Sequence, residues 1–254
     1  MVKEQATRVI LVGVGGATCS GKTTLAKHLK NIIPDSVIIH QDDFAPPQEL
    51  VPIHPVHNVQ DWDAPQGAIQ WDRLIDFLRT VKKTGIIPPE HYSHDHLNEQ
   101  KDIPVEDAVK EKWRKEFELI KQRKSEEGVR IVWGLVDGFL LYWHPDVIAE
   151  LDVKIFLRVP EATLKERRHQ RHGYHTAVQT DPEGSLWRDP PTYWEDVVWP
   201  AYVEAHTDMF ADGDIEHGEP TDKVKGVLVI APVGRELGAI VDECCDVLRA
   251  SEMT

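Results

Sequence analysis

Residues 16–23 read Gly-Ala-Thr-Cys-Ser-Gly-Lys-Thr, two glycines five apart followed at once by a lysine and a hydroxyl residue. In that spacing Gly16 and Gly21 let the backbone turn the N–H groups of Ala17, Thr18, Cys19, Ser20 and Gly21 inward around phosphate oxygens. Lys22 supplies a mobile point charge for the β and γ phosphates. Thr23 offers a hydroxyl of the right length to ligate Mg²⁺, with Thr24 beside it in the first turn of the helix that follows. The loop is predicted to bind ATP through its phosphates. Cys19, inside the loop, reads as a passive filler and not as a redox switch.

Carboxylates and arginines at a distance could complete a phosphoryl-transfer site. His40-Gln41-Asp42-Asp43-Phe44 closes a short β-branched run, and the carboxyl ends of strands in open α/β sheets form the ligand crevice, so Asp42 and Asp43 are expected to face the phosphates. Asp137 ends the run Ile131–Val136, the position of a Walker B acid that partners Mg²⁺ or water. Trp62-Asp63 precedes a predicted helix, where the bland role for Asp63 is an N-cap. Arg167, Arg168 and Arg171 fall together at helical spacing and suit a lid that neutralises the transferring phosphoryl group. Their mutual repulsion predicts that this lid orders only when nucleotide is present, with Gly173 as a hinge. His91, His94, Asp95 and His96 crowd one loop, but no second cluster has a matching ligand spacing, and the loop reads as solvated.

These residues need elements to position them. Arg8–Gly13, Ser36–Ile39, Val129–Val136, Val153–Val159 and Val227–Ala231 read as strands, the first a continuous apolar run suited to burial on both faces. Helical periods run from Thr23 to the stop at Pro34, from Pro65 to Lys83, from Val105 to Lys124 along a seam of Val109, Trp113, Phe117 and Ile120, from Glu161 to His172, to about Met209, and through Leu248. Strands alternating with helices predict a three-layer α/β sandwich of the P-loop NTPase kind around a parallel sheet. No linker or repeat divides the chain. It is read as a single domain, 1–254, with a partly helical insertion at about 79–130 and the lid at about 161–190.

The 254 residues carry 29 basic and 43 acidic side chains, a net charge of −14. Such a balance argues against nucleic acid or an anionic membrane as the main partner, since both require a basic face. Three cysteines, Cys19, Cys244 and Cys245, form neither a disulfide framework nor a zinc spacing, and the adjacent pair reads as helix packing. Met1–Arg8 is polar and Val9–Val14 is too short for a signal core or a membrane span. A cytoplasmic, monomeric protein is expected, and nuclear residence is compatible with the same features.

Taken together, GATCSGKTTLAKHL, HQDDF, WDAP, VDGFLLYW, ERRHQR and YWEDVVWPAY resemble the nicotinamide riboside kinases, within the uridine kinase-like P-loop kinases. The resemblance covers residues 9–75 and 131–210. It implies five parallel strands, ATP as donor and Mg²⁺ as cofactor. Asp42 would accept the proton of the substrate hydroxyl and hold Mg²⁺ with Thr23, acting with Lys22 and Asp137. Asp43, Phe44 and Arg168 would contact substrate, while Trp62 and Asp63 would hold its base and ribose. ATP contacts fall on the P-loop, Arg167, Arg171, His172 and Gly173, with adenine near Ala231–Val233. Two positions depart from the family pattern: Asp137 stands where Glu is common, and Ala45 where a second Phe is common.

The implied reaction is ATP-dependent phosphorylation of the 5′-hydroxyl of nicotinamide riboside to nicotinamide mononucleotide, in NAD salvage. The fixed positive charge of the pyridinium suits an aromatic face, Trp62, beside a carboxylate, Asp63. Uridine or cytidine as acceptor, or another small metabolite, is the alternative within the same class. From other classes, a GTPase switch lacks the N-K-x-D base-reading motif, and a catalytically silent nucleotide-binding regulator is opposed by intact Lys22, Thr23, Asp42 and Asp137.

Overall fold

The computed structural model describes residues 5–98 and 100–252, so residues 1–4 of the polar opening stretch lie outside them. β1 (Ala6–Gly16) is buried from Val9 onward, which its run of Val, Ile and Leu permits only in the centre of a sheet covered on both faces. α1 (Lys22–Ile32) returns the chain to β2 (Ser36–His40), and after α2 (Trp71–Thr84) and α3 (Asp107–Glu126) comes β3 (Val129–Gly138). α4 (Pro145–Glu150) leads to β4 (Val153–Leu157), and α5 (Glu161–His169) to a hairpin of β5 (Tyr174–His175) and β6 (Leu186–Trp187). α6 (Trp199–His206), β7 (Leu228–Ile230) and α7 (Leu237–Ser251) complete the order.

Among the described residues five strands form one sheet in the order β2-β3-β1-β4-β7, every pair parallel. Alternation along the strands splits the core in two. Ile10, Val12 and Val14 of β1, with Ile131, Trp133 and Leu135 of β3, face a layer that includes Leu25 and Leu29 of α1, Phe117 of α3 and Val241 of α7. Val9, Leu11, Val132 and Val136 face the other layer, with Leu74 and Leu78 of α2 and Val147 of α4. The five-stranded three-layer architecture expected from the sequence is therefore present.

Three local expectations need correction. The predicted helix from Pro65 begins only at Trp71, because the amides of Gly67 and Ala68 turn back to the Ala64 carbonyl and the Trp71 indole donates to the Pro65 carbonyl at 2.7 Å. Gln70 occupies the cap position, so Asp63 is not a helix cap. The helical segment after Pro191 opens with a π-helical turn, Trp194–Val198, ahead of Pro200 in the first turn of α6. Proline has no N–H to return to the preceding turn, and the wider turn absorbs that break. α5 ends at His169 and not at His172, and the hairpin beyond it was not foreseen.

The segment 79–130 carries α3 onto the face opposite α2. Trp113, Phe117 and Ile120 of the expected seam are buried, Phe117 meeting the Trp133 ring edge-on at 5.6 Å, while the Trp113 indole donates to Asp242 of α7. Cys244 and Cys245 are buried in α7, and burial pushes the Cys244 thiol up to about 12. Among the described residues no helix is long and apolar enough to cross a membrane.

Trp113 is fully buried, so Trp113→Ala is expected to cost about 3–5 kcal/mol through lost burial and an unfilled cavity. Urea unfolding measures the loss. Because α3 lies across the sheet from α2 and away from the strand ends, the KM values of the folded fraction should stay within about twofold of wild type.

Candidate active site

Parallel strands end at one edge, and β1 delivers the phosphate loop there. Gly16 has φ +141°, and a Cβ at this position would stand 2.7 Å from the Leu157 carbonyl, so both conformation and the close approach of β4 demand glycine. Gly21, at φ +96°, starts α1, and among the described residues no side chain caps that helix. The amides of its first turn are therefore available to an anion, in the positive field of the helix end. Cys19 is held at φ +61°, a conformation uncommon for a residue with a Cβ. Lys22 donates from Nζ to the Ala17 carbonyl at 3.2 Å.

His40 and Asp137 are register partners on β2 and β3, and the imidazole Nδ1 lies 3.1 Å from Asp137 Oδ2. Burial alone would lower the His40 pKa, but the hydrogen bond and charge of Asp137, with the charges of Asp95 and Asp43, raise it. Burial alone would raise that of Asp137, but His40, Lys22 and the Thr23 hydroxyl hold it below the usual carboxylate range. The Gln41 side chain accepts from the Leu140 amide at 2.9 Å and so ties the turn after β2 to the one after β3. That tie positions Asp42. Its carboxylate keeps an exposed edge in the cleft, yet desolvation by the surrounding walls raises its pKa, with Lys22 opposing and Asp137 adding to the rise.

Asp43 has a different setting. It is buried, its Oδ1 accepts from the His94 amide at 3.0 Å, and His91 Nε2 lies 3.6 Å from its Oδ2. Burial would raise its pKa, but His91 and the His94 amide lower it. One oxygen of Asp43, a residue expected to contact substrate, is thus tied to the segment around residues 91–94, while Oδ2 has no hydrogen-bond partner among the described residues. Phe44 is likewise buried, stacked on His91 at 5.4 Å, with the Arg73 guanidinium 5.0 Å from its ring centroid. The loop read as solvated is anchored elsewhere too. Asp95 binds Lys27 at 2.6 Å and approaches His40 at 4.0 Å, and Asn98 accepts from the His175 amide of β5 at 2.9 Å. Among the described residues no group of three or more His, Cys, Asp or Glu is placed to hold a metal.

On the acceptor side, Trp62 is half-buried and Asp63 buried. Arg168, also buried, donates to both oxygens of Asp189, at 2.6 and 3.0 Å, and lies 3.8 Å from Asp63. The arginine repulsion predicted to await nucleotide is relieved here by carboxylates and rings. Tyr174 lies between the Arg168 and Arg171 guanidinium groups, at 4.7 and 4.2 Å, and its hydroxyl is 3.0 Å from Thr18 Oγ1. Arg167 donates to the Cys19 carbonyl at 3.2 Å. His172 is exposed beside them, and Gly173, at φ +144°, passes too close to the Trp187 carbonyl to carry a Cβ. The lid interval therefore touches the phosphate loop directly. Ala231–Val233 follow β7 at the same edge of the sheet, with Val233 exposed.

Reading the sequence missed Tyr174, Trp187, Asp189 and Tyr193. Trp187 lies 5.9 Å from Trp62 and 5.6 Å from Tyr193, whose hydroxyl accepts from the Trp62 amide at 3.1 Å. The available signal was the density of aromatic and acidic residues between Tyr174 and Trp194, which composition alone did not connect to Trp62.

A lysine and a hydroxyl residue at a phosphate cradle, set across from a strand-end carboxylate, are placed to pass a phosphoryl group to an acceptor held beyond that carboxylate. Fold and site together are those of a P-loop kinase. No protein-family profile matches the chain. It is 34% identical over 218 residues to the nicotinamide riboside kinase of Schizosaccharomyces pombe, covering 85% of this chain and 86% of that one. Proteins of the same name from Eremothecium gossypii and Saccharomyces cerevisiae are 32% and 30% identical, over 82% of this chain and 80% and 82% of theirs. The chain belongs to the nicotinamide riboside kinase family.

Burial pushes the Asp63 carboxyl up to about 6, Arg168 opposing and the like charges of Asp189, Asp61 and Asp42 adding. The group is ionised above that pH and protonated below it. KM for the acceptor should therefore rise as pH falls through 6, approaching about tenfold per unit, while KM for ATP changes little. Steady-state kinetics from pH 5 to 8 check this, and Asp63→Asn should flatten the acceptor profile.

Proposed function

We propose that this protein transfers the γ-phosphate of ATP to the 5′-hydroxyl of nicotinamide riboside, forming nicotinamide mononucleotide for NAD salvage. The observation that carries the substrate assignment is the setting of Asp63. One of its oxygens, Oδ2, is buried with no partner among the described residues, and the neighbouring half-buried Trp62 and Trp187 supply aromatic faces, with the buried Tyr193 packed behind Trp187. A carboxylate with a free acceptor suits ribose hydroxyls, and its charge beside aromatic faces suits a pyridinium.

In this mechanism the loop amides and Lys22 fix the β and γ phosphates, and Arg167 and Arg171 lie against the same loop from the lid. Asp42 takes the proton of the acceptor hydroxyl; its raised pKa makes it a better base than a solvated aspartate. His40 and Thr23 orient Asp137. Mg²⁺ fits these residues, because Asp137 Oδ1 is buried with no partner among the described residues and the Thr23 hydroxyl and Asp42 add hard oxygen donors. Thr23 and Asp42 would hold it, and when bound it supplies charge neutralisation of the phosphates. Residues 1–254 act as one kinase domain in this reading, with 161–190 as lid and 79–130 as an added segment. The working unit in this reading is a monomer.

A coupled ADP-release assay over a nucleoside panel tests the proposal. kcat/KM for nicotinamide riboside should exceed that for uridine and cytidine, and the reverse order would reassign the substrate. Lys22→Ala should abolish turnover without unfolding the protein, and Asp42→Asn should lower kcat by about 10² or more with little change in KM for ATP. Activity of Lys22→Ala within a few-fold of wild type would remove the loop from the mechanism. Trp62→Ala should raise KM for nicotinamide riboside more than for uridine.

A further inference from the structure

Three charged groups from separate segments meet beside Trp62. Asp63 comes from the loop after β2, Arg168 from α5, and Asp189 from the stretch that follows β6. Arg168 gives Asp189 a bidentate pair, and the Trp187 indole adds a third donor to Asp189 at 3.1 Å, so both oxygens of that carboxylate are occupied. Asp63 receives only the looser approach of Arg168 at 3.8 Å. The hydrogen bonds of the guanidinium are thus committed to Asp189, and its charge only partly offsets that of Asp63. Two carboxylates against one guanidinium leave the cluster with one net negative charge.

We propose that Asp189 is a specificity-determining residue: by engaging Arg168 it keeps the charge of Asp63 from being fully offset, so that the acceptor pocket selects a cationic nucleoside over a neutral one of the same shape. The inference rests on the proposed function and deepens it. Rings alone do not enforce such a choice, since the faces of Trp62 and Trp187 accept any flat base. Hydrogen bonds to ribose do not enforce it either, because the ribose is common to all nucleosides. Net charge is the term that differs between a pyridinium and a neutral base. In a pocket walled by aromatic rings it is weakly screened. Without Asp189, Arg168 would be free to pair fully with Asp63, and the preference would vanish.

The test compares nicotinamide riboside with its reduced dihydropyridine form, which has nearly the same shape and no charge. The ratio of kcat/KM for the cationic and neutral ribosides is measured at about pH 8, well above the ordinary carboxylate range. Wild type should favour the cation, Asp189→Asn should lower the ratio by about tenfold, and Asp189→Glu should recover most of it. Arg168→Gln breaks the same ion pair but leaves both carboxylates, so it should move the ratio upward. Opposite shifts from two variants that break one contact cannot come from loosened structure, which would scale both substrates alike. An Asp189→Asn ratio equal to wild type, or a common fall in both substrates, overturns the assignment alone. Should Asp189→Asn not fold, a downward shift in Arg168→Gln overturns it. A wild type that turns over neither riboside, or prefers the neutral one, overturns the functional reading and this inference with it.

Discussion

Five carboxylates, those of Asp42, Asp43, Asp63, Asp137 and Asp189, converge on the end of the sheet that must receive a chain of phosphates. Like charge at that density opposes both folding and nucleotide binding unless each group has a counterpart. The counterparts come from different parts of the sequence. Lys22 acts on Asp42 and Asp137, His40 on Asp137, His91 and His94 on Asp43, and Arg168 on Asp189 and Asp63. Most of the tertiary features near the site are explained by this requirement. The segment around residues 91–98 lies against the turn after β2, where it meets Asp43 and His40, and the hairpin of β5 and β6 brings Asp189 to a buried arginine whose contact with Asp63, at 3.8 Å, is looser.

The same pairing separates the site into two electrostatic regimes. Asp137 and Asp43, with donors aimed at both, have pKa values held below the ordinary range and stay ionised. Asp42, with an edge exposed in the cleft, and Asp63, buried with one oxygen unpartnered among the described residues, have theirs raised by desolvation. Carboxylates of the first kind are spent on architecture and the phosphate side. Those of the second kind retain a proton affinity and an acceptor capacity that a substrate can use. Adjacent residues, Asp42 and Asp43, fall on opposite sides of this division.

That division sets how much was legible in the sequence. The phosphate loop, the strand-end position of Asp42 and Asp137, and the alternation that makes the sheet are local patterns, and the structure shows each element in place. The start of α2 was misjudged because the turn at Ala64–Gln70 is stabilised by a tertiary contact, the Gln70 amide donating to the Phe44 carbonyl at 2.8 Å, which no periodicity reveals. The contacts of Asp43 with His91 and the His94 amide come from about fifty residues on, beyond the reach of a local pattern. The histidines of that segment read as solvated for the same reason. Trp187 and Asp189 show locally only as part of an aromatic and acidic stretch, since their meaning depends on a two-residue strand pair that places Tyr174 opposite Trp187.

Position in the chain also separates chemistry from selection. Lys22, Thr23, Asp42, His40 and Asp137 all sit at or next to the ends of β1, β2 and β3, elements locked by a register that runs without interruption from Ala6↔Val129 to Gly15↔Gly138. Tyr174, Trp187, Asp189 and Tyr193 sit on a small hairpin and the turn beyond it, joined to the rest by side-chain contacts. Rigid strands suit groups that must hold an in-line geometry for transfer. The hairpin meets the phosphate loop through Tyr174, and Asp189 in the stretch beyond it pairs with Arg168 of α5, so these contacts rest on side chains and not on strand register. The ring that contacts Thr18 also packs against the arginine that pairs with Asp189 and approaches Asp63, so one aromatic side chain links the phosphate loop to that charge cluster.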